Sequence, residues 1–210
     1  MTAFSSPLLS ELGAFLLSAT CAGCDRPGEL LCRPCRSQLA PEPVDVCTPN
    51  GLSVRAALTF DGIAARCIRR LKGDGETLLA RPLGAALAAV LGPARGAGAV
   101  AVPVPTGRSA FRRRGYRVPD LLVRRAGLRP LSVLAVRGGR ADQRGLGMRA
   151  RAENVNGAMR ARRRSDGQRV VLVDDVVTTG ATMDEAVRAL SSAGFVVLGG
   201  AALAATPSRR

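Results

Sequence analysis

The segment Val170-Val171-Leu172-Val173-Asp174-Asp175-Val176-Val177-Thr178-Thr179-Gly180-Ala181-Thr182 restricts what this chain can fold into more than any other stretch of it. Four consecutive aliphatic residues predict a strand covered on both faces, as in a parallel sheet. Two carboxylates then fall where that strand leaves the sheet, and a hydroxyl- and glycine-rich turn leads into a helix. Backbone amides in such a turn, backed by a helix N-terminus, cradle a phosphate dianion. The adjacent acids suit ribose hydroxyls, or a divalent metal held through them. Neighbouring residues thus address phosphate and sugar together, which points to a phosphorylated ribose.

The ordinary reading of the same residues is a strand, a turn and a helix with an N-capping Thr, in which Asp184 and Glu185 complement the helix dipole. Against it stand Asp174 and Asp175, two like charges at the end of an apolar strand. That placement costs stability unless a ligand or metal uses it. The block resembles the phosphoribosyl pyrophosphate signature of type I phosphoribosyltransferases. The resemblance implies that Thr178, Thr179, Gly180, Ala181 and Thr182 hold the 5′-phosphate, and that Asp174 and Asp175 hold the ribose 2′- and 3′-hydroxyls. Other nucleotide motifs fit poorly. No Gly-Lys-Ser/Thr occurs, so there is no Walker-type loop. Gly145 to Ala150 spells GxGxxA, but Arg140 to Arg144 is no strand.

A chain of 210 residues has room for one domain of ordinary size and a small module. Hydrophobic residues make up 47% and aromatics only 3%, so the core is one of Ala, Val and Leu. The net charge is +15, and Lys72 is the only lysine among 31 basic residues. Such an excess describes partners rather than fold, and suits nucleic acid, pyrophosphate or acidic surfaces alike. A single lysine among so many arginines is the residue to expect where a compact point charge is needed. Pro7 to Ala19 is too short for a membrane span and carries Glu11. It lacks a basic flank and a small-residue cleavage site, and Thr20 before Cys21 spoils a lipoprotein-type site. A short docking helix and a cytoplasmic protein are expected.

Cys21, Cys24, Cys32 and Cys35 form two CxxC turns seven residues apart. Each turn presents two thiolates, and two turns complete a tetrahedral site. Zinc is the default occupant of four thiolates, iron the lesser one. Two disulfides are the competing reading, which a reducing cytoplasm disfavours. No histidine exists in the chain to assist. Cys47 and Cys67 read as small residues outside the site.

Pro41-Glu42-Pro43 and Pro49-Asn50-Gly51 read as linker and turn. They divide the chain into residues 1–50, a short helix with the cysteine module, and residues 51–210, the body. In the body, strands are predicted over Val54–Phe60, Val100–Pro105 and Val170–Val173, with Phe195–Leu203 closing the sheet. Helices are predicted over Ile63–Lys72 and Glu76–Leu91, the latter stopped by Gly92-Pro93; further helices start near Pro119-Asp120 and carry Met183, Ala186, Val187 and Leu190 on one face. The alternation predicts an α/β fold with a parallel-rich sheet flanked by helices, with ligands outside the carboxyl ends of the strands. That rule makes Gly107 and Arg108, after Pro103-Val104-Pro105-Thr106, candidates for a pyrophosphate. Arg112, Arg113 and Arg114 would then act as an electrostatic funnel. The Gly/Arg-rich stretch from Arg137 to Arg151 has the length of a lid.

The N-terminal cysteines, Leu71-Lys72-Gly73, Pro103-Val104-Pro105, Arg114-Gly115-Tyr116, Gln143-x2-Leu146-x4-Arg151-x2-Asn154-Val155 and the Asp-Asp-x2-Thr-Thr-Gly-x-Thr block occur in one order over nearly the whole chain. Together they resemble the ComF family of phosphoribosyltransferase-like proteins. One departure is that Arg117-Val118 replace the Asn-Gln that usually follows Arg-Gly-Phe/Tyr. The resemblance implies structural Zn2+, and Mg2+ with phosphoribosyl pyrophosphate. Lys72, Gly107, Arg108, Arg114 and Arg151 would join the phosphate loop around that substrate. It also implies a link to competence, with single-stranded DNA, a DNA-uptake helicase and recombination proteins as partners. The acceptor and the oligomeric state are not legible. The alternative is a non-catalytic adaptor for DNA or protein that keeps the phosphoribosyl site as a sensor.

Overall fold

The computed structural model describes residues 19–137 and 157–207. Its elements in chain order are α1 (Arg33–Ser37), β1 (Val44–Cys47), β2 (Ser53–Thr59), α2 (Gly62–Gly73), a 3-10 turn (Thr77–Leu79), α3 (Ala80–Gly96) and β3 (Val100–Pro103). There follow α4 (Arg108–Arg114), α5 (Val118–Arg125), β4 (Leu134–Val136), β5 (Met159–Ala161), β6 (Arg169–Val177), α6 (Ala181–Ser191) and β7 (Val196–Ala205). The five-stranded sheet has the order β1-β2-β7-β6-β3. Its strands are parallel except β1, which runs antiparallel to β2.

This is the expected α/β architecture, a mostly parallel sheet between two helical layers. Alternation along β6 explains the layering: Val171 and Val173 join the core shared with α2, α3 and α5. Val170 and Leu172 join the core shared with α6 and the β4–β5 hairpin. Both faces of the strand are covered, as four aliphatic residues in a row require. In α6, Met183, Ala186 and Leu190 are the buried stripe, at helical spacing.

Several elements depart from the sequence pattern. β7 does not close the sheet but lies inside it, between β2 and β6. Its Ala-rich second half is buried on both faces, which an edge strand would not need. α3 continues through Gly92-Pro93 to Gly96, because a proline in the last turns removes one amide without unseating the packed stripe of Leu83, Leu87 and Leu91. The basic run after β3 is a helix, α4, none of whose side chains is buried. Val44–Cys47, on the N-terminal side of residue 50, pairs with β2. The segment Pro7–Ser18, the greater part of the lid-length stretch including Arg151, and Gln143 to Val155 lie outside the described residues. Among the described residues no helix is long and apolar enough to cross a membrane.

Candidate functional site

β6 outruns its neighbour. β3 pairs with it only from Val170 to Val173, while β7 accompanies it to Val177. Asp174 and Asp175 therefore sit beyond the end of β3 on one side while still held in the ladder on the other. The Val104 amide donates to the Val173 carbonyl at 2.8 Å, so the chain leaving β3 passes beside the two acids. Gly107 caps α4 there, and Gly107 and Arg108 are both exposed at this same end of the sheet.

The acids are not equivalent. Asp175 receives the Lys72 ammonium of α2 at 2.7 Å and is only 13% exposed. Asp174 accepts the Asp175 amide at 2.8 Å. Protein surrounding the Asp174 carboxyl, with the charge of Asp175 added, pushes it up to about 8; Lys72 opposes this without cancelling it. At neutral pH the Asp174 carboxyl thus holds a proton that a bound cation would displace, beside the Asp175–Lys72 pair.

Thr178 and Thr179 are exposed, and Gly180 turns the chain into α6 with φ +79°. A Cβ at Gly180 would also lie 2.7 Å from Thr48 Cγ2, so glycine is needed there for two reasons. No side chain caps α6. The Ala181 amide reaches the Thr179 hydroxyl at 3.5 Å, and the remaining amides of the first turn, at the positive end of the helix, are open to a ligand or water. Asp184 and Glu185 do not serve this terminus as dipole partners alone. Asp184 accepts the Thr48 hydroxyl and the Asn50 amide (3.1 Å), fastening the β1–β2 turn under the loop. Glu185 is buried and accepts the Met159 amide at 2.7 Å, fastening β5. These two braces connect residues 136 and 26 positions apart, and only the consecutive acids Asp184-Glu185 hint at them in the sequence.

Lys72 is held at the end of α2. Arg114 donates from Nε to the Lys72 carbonyl at 2.6 Å, and the Tyr116 hydroxyl donates to the Leu71 carbonyl. The structure thus brings Lys72 and Arg114 to the twin acids, Arg114 through the backbone of Lys72. On the far side of the Thr178–Thr182 loop a cleft of about 380 Å³ is lined by Asp45, Cys47, Thr178, Thr179, Gly180 and Thr206.

The four cysteines form a candidate metal site apart from the twin acids. The Sγ atoms of Cys21, Cys24, Cys32 and Cys35 all lie within 4.8 Å of one another. Cys21 and Cys32 sulfurs are 3.5 Å apart, and Cys24 and Cys32 sulfurs 3.7 Å. A tetrahedral zinc with bonds of about 2.3 Å separates its sulfurs by roughly 3.8 Å. A disulfide requires about 2.05 Å, so these are four thiols about a point that fits a metal such as zinc. Burial would raise the Cys21 thiol, but amides of Cys32, Cys24 and Gly23 outweigh it and bring it down to about 6. Gly23 is fixed by close approach, since a Cβ would meet Cys35 Sγ at 2.6 Å. Cys21, Cys32 and Cys35 pack into the core with Ile68 and Cys67 of α2.

Residues 113–210 match the family model described as phosphoribosyl transferase domain. That part of the chain carries the twin acids and the loop. No curated protein matches the sequence. Similar solved structures include an orotate phosphoribosyltransferase from Aeropyrum pernix, 21% identical over 81% of this chain and 78% of that one, with a TM-score of 0.37. An adenine phosphoribosyltransferase from Rhodothermus marinus is 20% identical over 80% of this chain and 85% of that one, with a TM-score of 0.38.

Proposed function

We propose that the protein binds phosphoribosyl pyrophosphate at the carboxyl end of β6 and transfers its phosphoribosyl group to an acceptor, releasing pyrophosphate. The observation that carries this is the juxtaposition of an uncapped α6 N-terminus with Asp174 and Asp175, a few residues before it on one strand. The amides and hydroxyls of Thr178 to Thr182 take the 5′-phosphate. Asp174 and Asp175 orient the ribose hydroxyls. Arg108 faces the leaving pyrophosphate from the first turn of α4. In the transfer the bond from C1 to the pyrophosphate oxygen breaks, and one from C1 to the acceptor nucleophile forms. Fixed geometry and charge neutralisation carry the rate, with no base supplied by histidine. Mg2+ would be held through the sugar hydroxyls and pyrophosphate, with Asp174 the carboxylate still open to it, and would neutralise charge on the leaving group.

The resemblance to the ComF family supports a role in natural transformation, beside a DNA-uptake helicase and recombination mediators. The second reading, an adaptor that senses the ligand without turnover, is favoured by one surface. Phe111 of α4 is 40% exposed with Arg117 stacked 5.1 Å above its ring. Arg108, Arg112 and Arg113 around it are exposed and have no ion-pair partner among the described residues. Aromatic and basic groups so mixed suit single-stranded nucleic acid.

Thermal unfolding with phosphoribosyl pyrophosphate and Mg2+ tests the site: the wild type gains stability and Asp174→Asn/Asp175→Asn does not. A wild type indifferent to the ligand would falsify both readings. Pyrophosphate release with candidate acceptors separates transferase from sensor. DNA affinity that stays flat from low to high salt removes the electrostatic surface.

A further inference from the structure

We propose that Arg114 and Tyr116 are positioning residues, which act on the site by fixing the last turn of α2 so that Lys72 holds Asp175 in place. This rests on the phosphoribosyl pyrophosphate reading for its functional consequence, though not for its geometry.

The final carbonyls of a helix have no partner within it. In α2 the Arg70 carbonyl is satisfied by the Asp74 amide at 3.0 Å. The next two carbonyls, of Leu71 and Lys72, are met by side chains 45 and 42 residues further along: the Tyr116 hydroxyl and Arg114 Nε. These two donors flank Gly115, whose left-handed φ of +78° ends α4. A guanidinium at a helix C-terminus is also favoured by the dipole. The side chain held by this backbone is the only lysine in the chain, and its ammonium is 2.7 Å from Asp175. An ammonium on four rotatable bonds at a helix end samples many positions. Anchoring both carbonyls of the last turn confines its root, and through it the orientation of Asp175 toward the sugar.

Lys72 being unique makes the test direct, since protein labelled with 13C-lysine gives a single εCH2 cross-peak. Tyr116→Phe removes one hydroxyl, and Arg114→Gln keeps an N–H donor without the charge. Both are compared with Arg114→Ala by circular dichroism and unfolding, to establish that the fold is retained. The expected result is a wild-type cross-peak distinct from free lysine, displaced toward the free position by Tyr116→Phe and further by Arg114→Ala, with partial return in Arg114→Gln. Affinity for phosphoribosyl pyrophosphate with Mg2+, by calorimetry, falls about 3- to 10-fold in the same order. An unmoved cross-peak in folded Tyr116→Phe and Arg114→Ala overturns the proposal, including where affinity drops, because Arg114 would then act on the ligand directly. Failure of the wild type to bind refutes the ligand reading instead, and leaves the cross-peak to decide the positioning.

Discussion

The Glu185 carboxylate accepts the Met159 amide at 2.7 Å, and the Arg188 side chain that pairs with Glu185 returns to the Met159 carbonyl at 3.0 Å. One ion pair on α6 therefore grips both backbone groups of a residue in β5. Arg188 reaches Glu185 at 2.6 and 2.8 Å, while the carboxylate side chain is only 3% exposed. The β4–β5 pair is thus tied to the helix that begins after the Thr178–Gly180 turn.

Burial by itself would raise the Glu185 carboxyl, but Arg188 and the amides of Met159 and Gly157 hold it below the usual range. A depressed carboxyl contributes stability above its unfolded value of 4.5, which is lost as pH falls through the folded value. Glu185→Ala leaves a buried amide and an unpaired guanidinium, at a cost of about 2–4 kcal/mol in urea unfolding at pH 7. The difference between variant and wild type shrinks below pH 4.5. A constant difference from pH 7 down to pH 3 would show that the grip does not depend on the charge.

Asp174 behaves in the opposite sense. Its carboxyl is raised from 3.8 to about 8, so across that interval the folded chain binds a proton that the unfolded chain has lost. Stability therefore falls as pH rises from about 4 to about 8. Asp174→Asn removes the penalty. It is expected to match the wild type near pH 4 and to exceed it by roughly 1–2 kcal/mol at pH 8.5, less than full linkage gives because Asp174 as a residue is only half-buried. The variant also loses the thermal shift produced by phosphoribosyl pyrophosphate with Mg2+. Identical pH profiles for the two proteins would refute the raised carboxyl.

The residues that announced the site in the sequence are those whose chemistry is local: a doubly buried strand, adjacent acids and a hydroxyl-rich turn within thirteen positions. The four cysteines were equally legible because CxxC spacing is itself geometry. What escaped is carried by long-range pairing or by exposure. β4 and β5 are three residues each and show no period, and β1 is a four-residue edge strand after a proline. α4 has arginines where a core helix would carry aliphatic residues, so its pattern reads as a solvated basic run. Thr48 stands 136 positions from Asp184, and apart from the consecutive acids Asp184-Glu185 nothing in either neighbourhood signals that they meet.

Zinc analysis and chelation probe the cysteine cluster. Purified protein should hold close to one metal ion per chain, released by a strong chelator or by thiol-blocking reagent. Because Cys21, Cys32 and Cys35 share a core with Ile68 and Leu71, metal loss should loosen α2 along with the module. A fall in Tm of about 10 °C or more is expected, since a structural zinc contributes folding free energy directly. Cys24 is exposed at the rim, so Cys24→Ser should weaken retention least of the four. Full stability in metal-free protein would dispose of a structural role.

Gly180 offers a test of how the Thr178–Thr182 loop is built. Gly180→Ala meets two penalties: φ is +79°, and the new methyl would lie 2.7 Å from Thr48 Cγ2 and 2.8 Å from Thr48 Cβ. Left-handed backbone costs an alanine about 1–2 kcal/mol, and the overlap adds to it, so a loss of roughly 2–4 kcal/mol is expected. Thr48→Ser deletes Cγ2 while keeping the hydroxyl that Asp184 accepts. The double variant should recover part of the loss, though less than half, because Thr48 Cβ and the Thr48 Cα at 3.1 Å remain in the way. A double-mutant cycle in urea reads the coupling directly. Strict additivity would place the whole cost in the backbone angle and none in the contact between the loop and the β1–β2 turn.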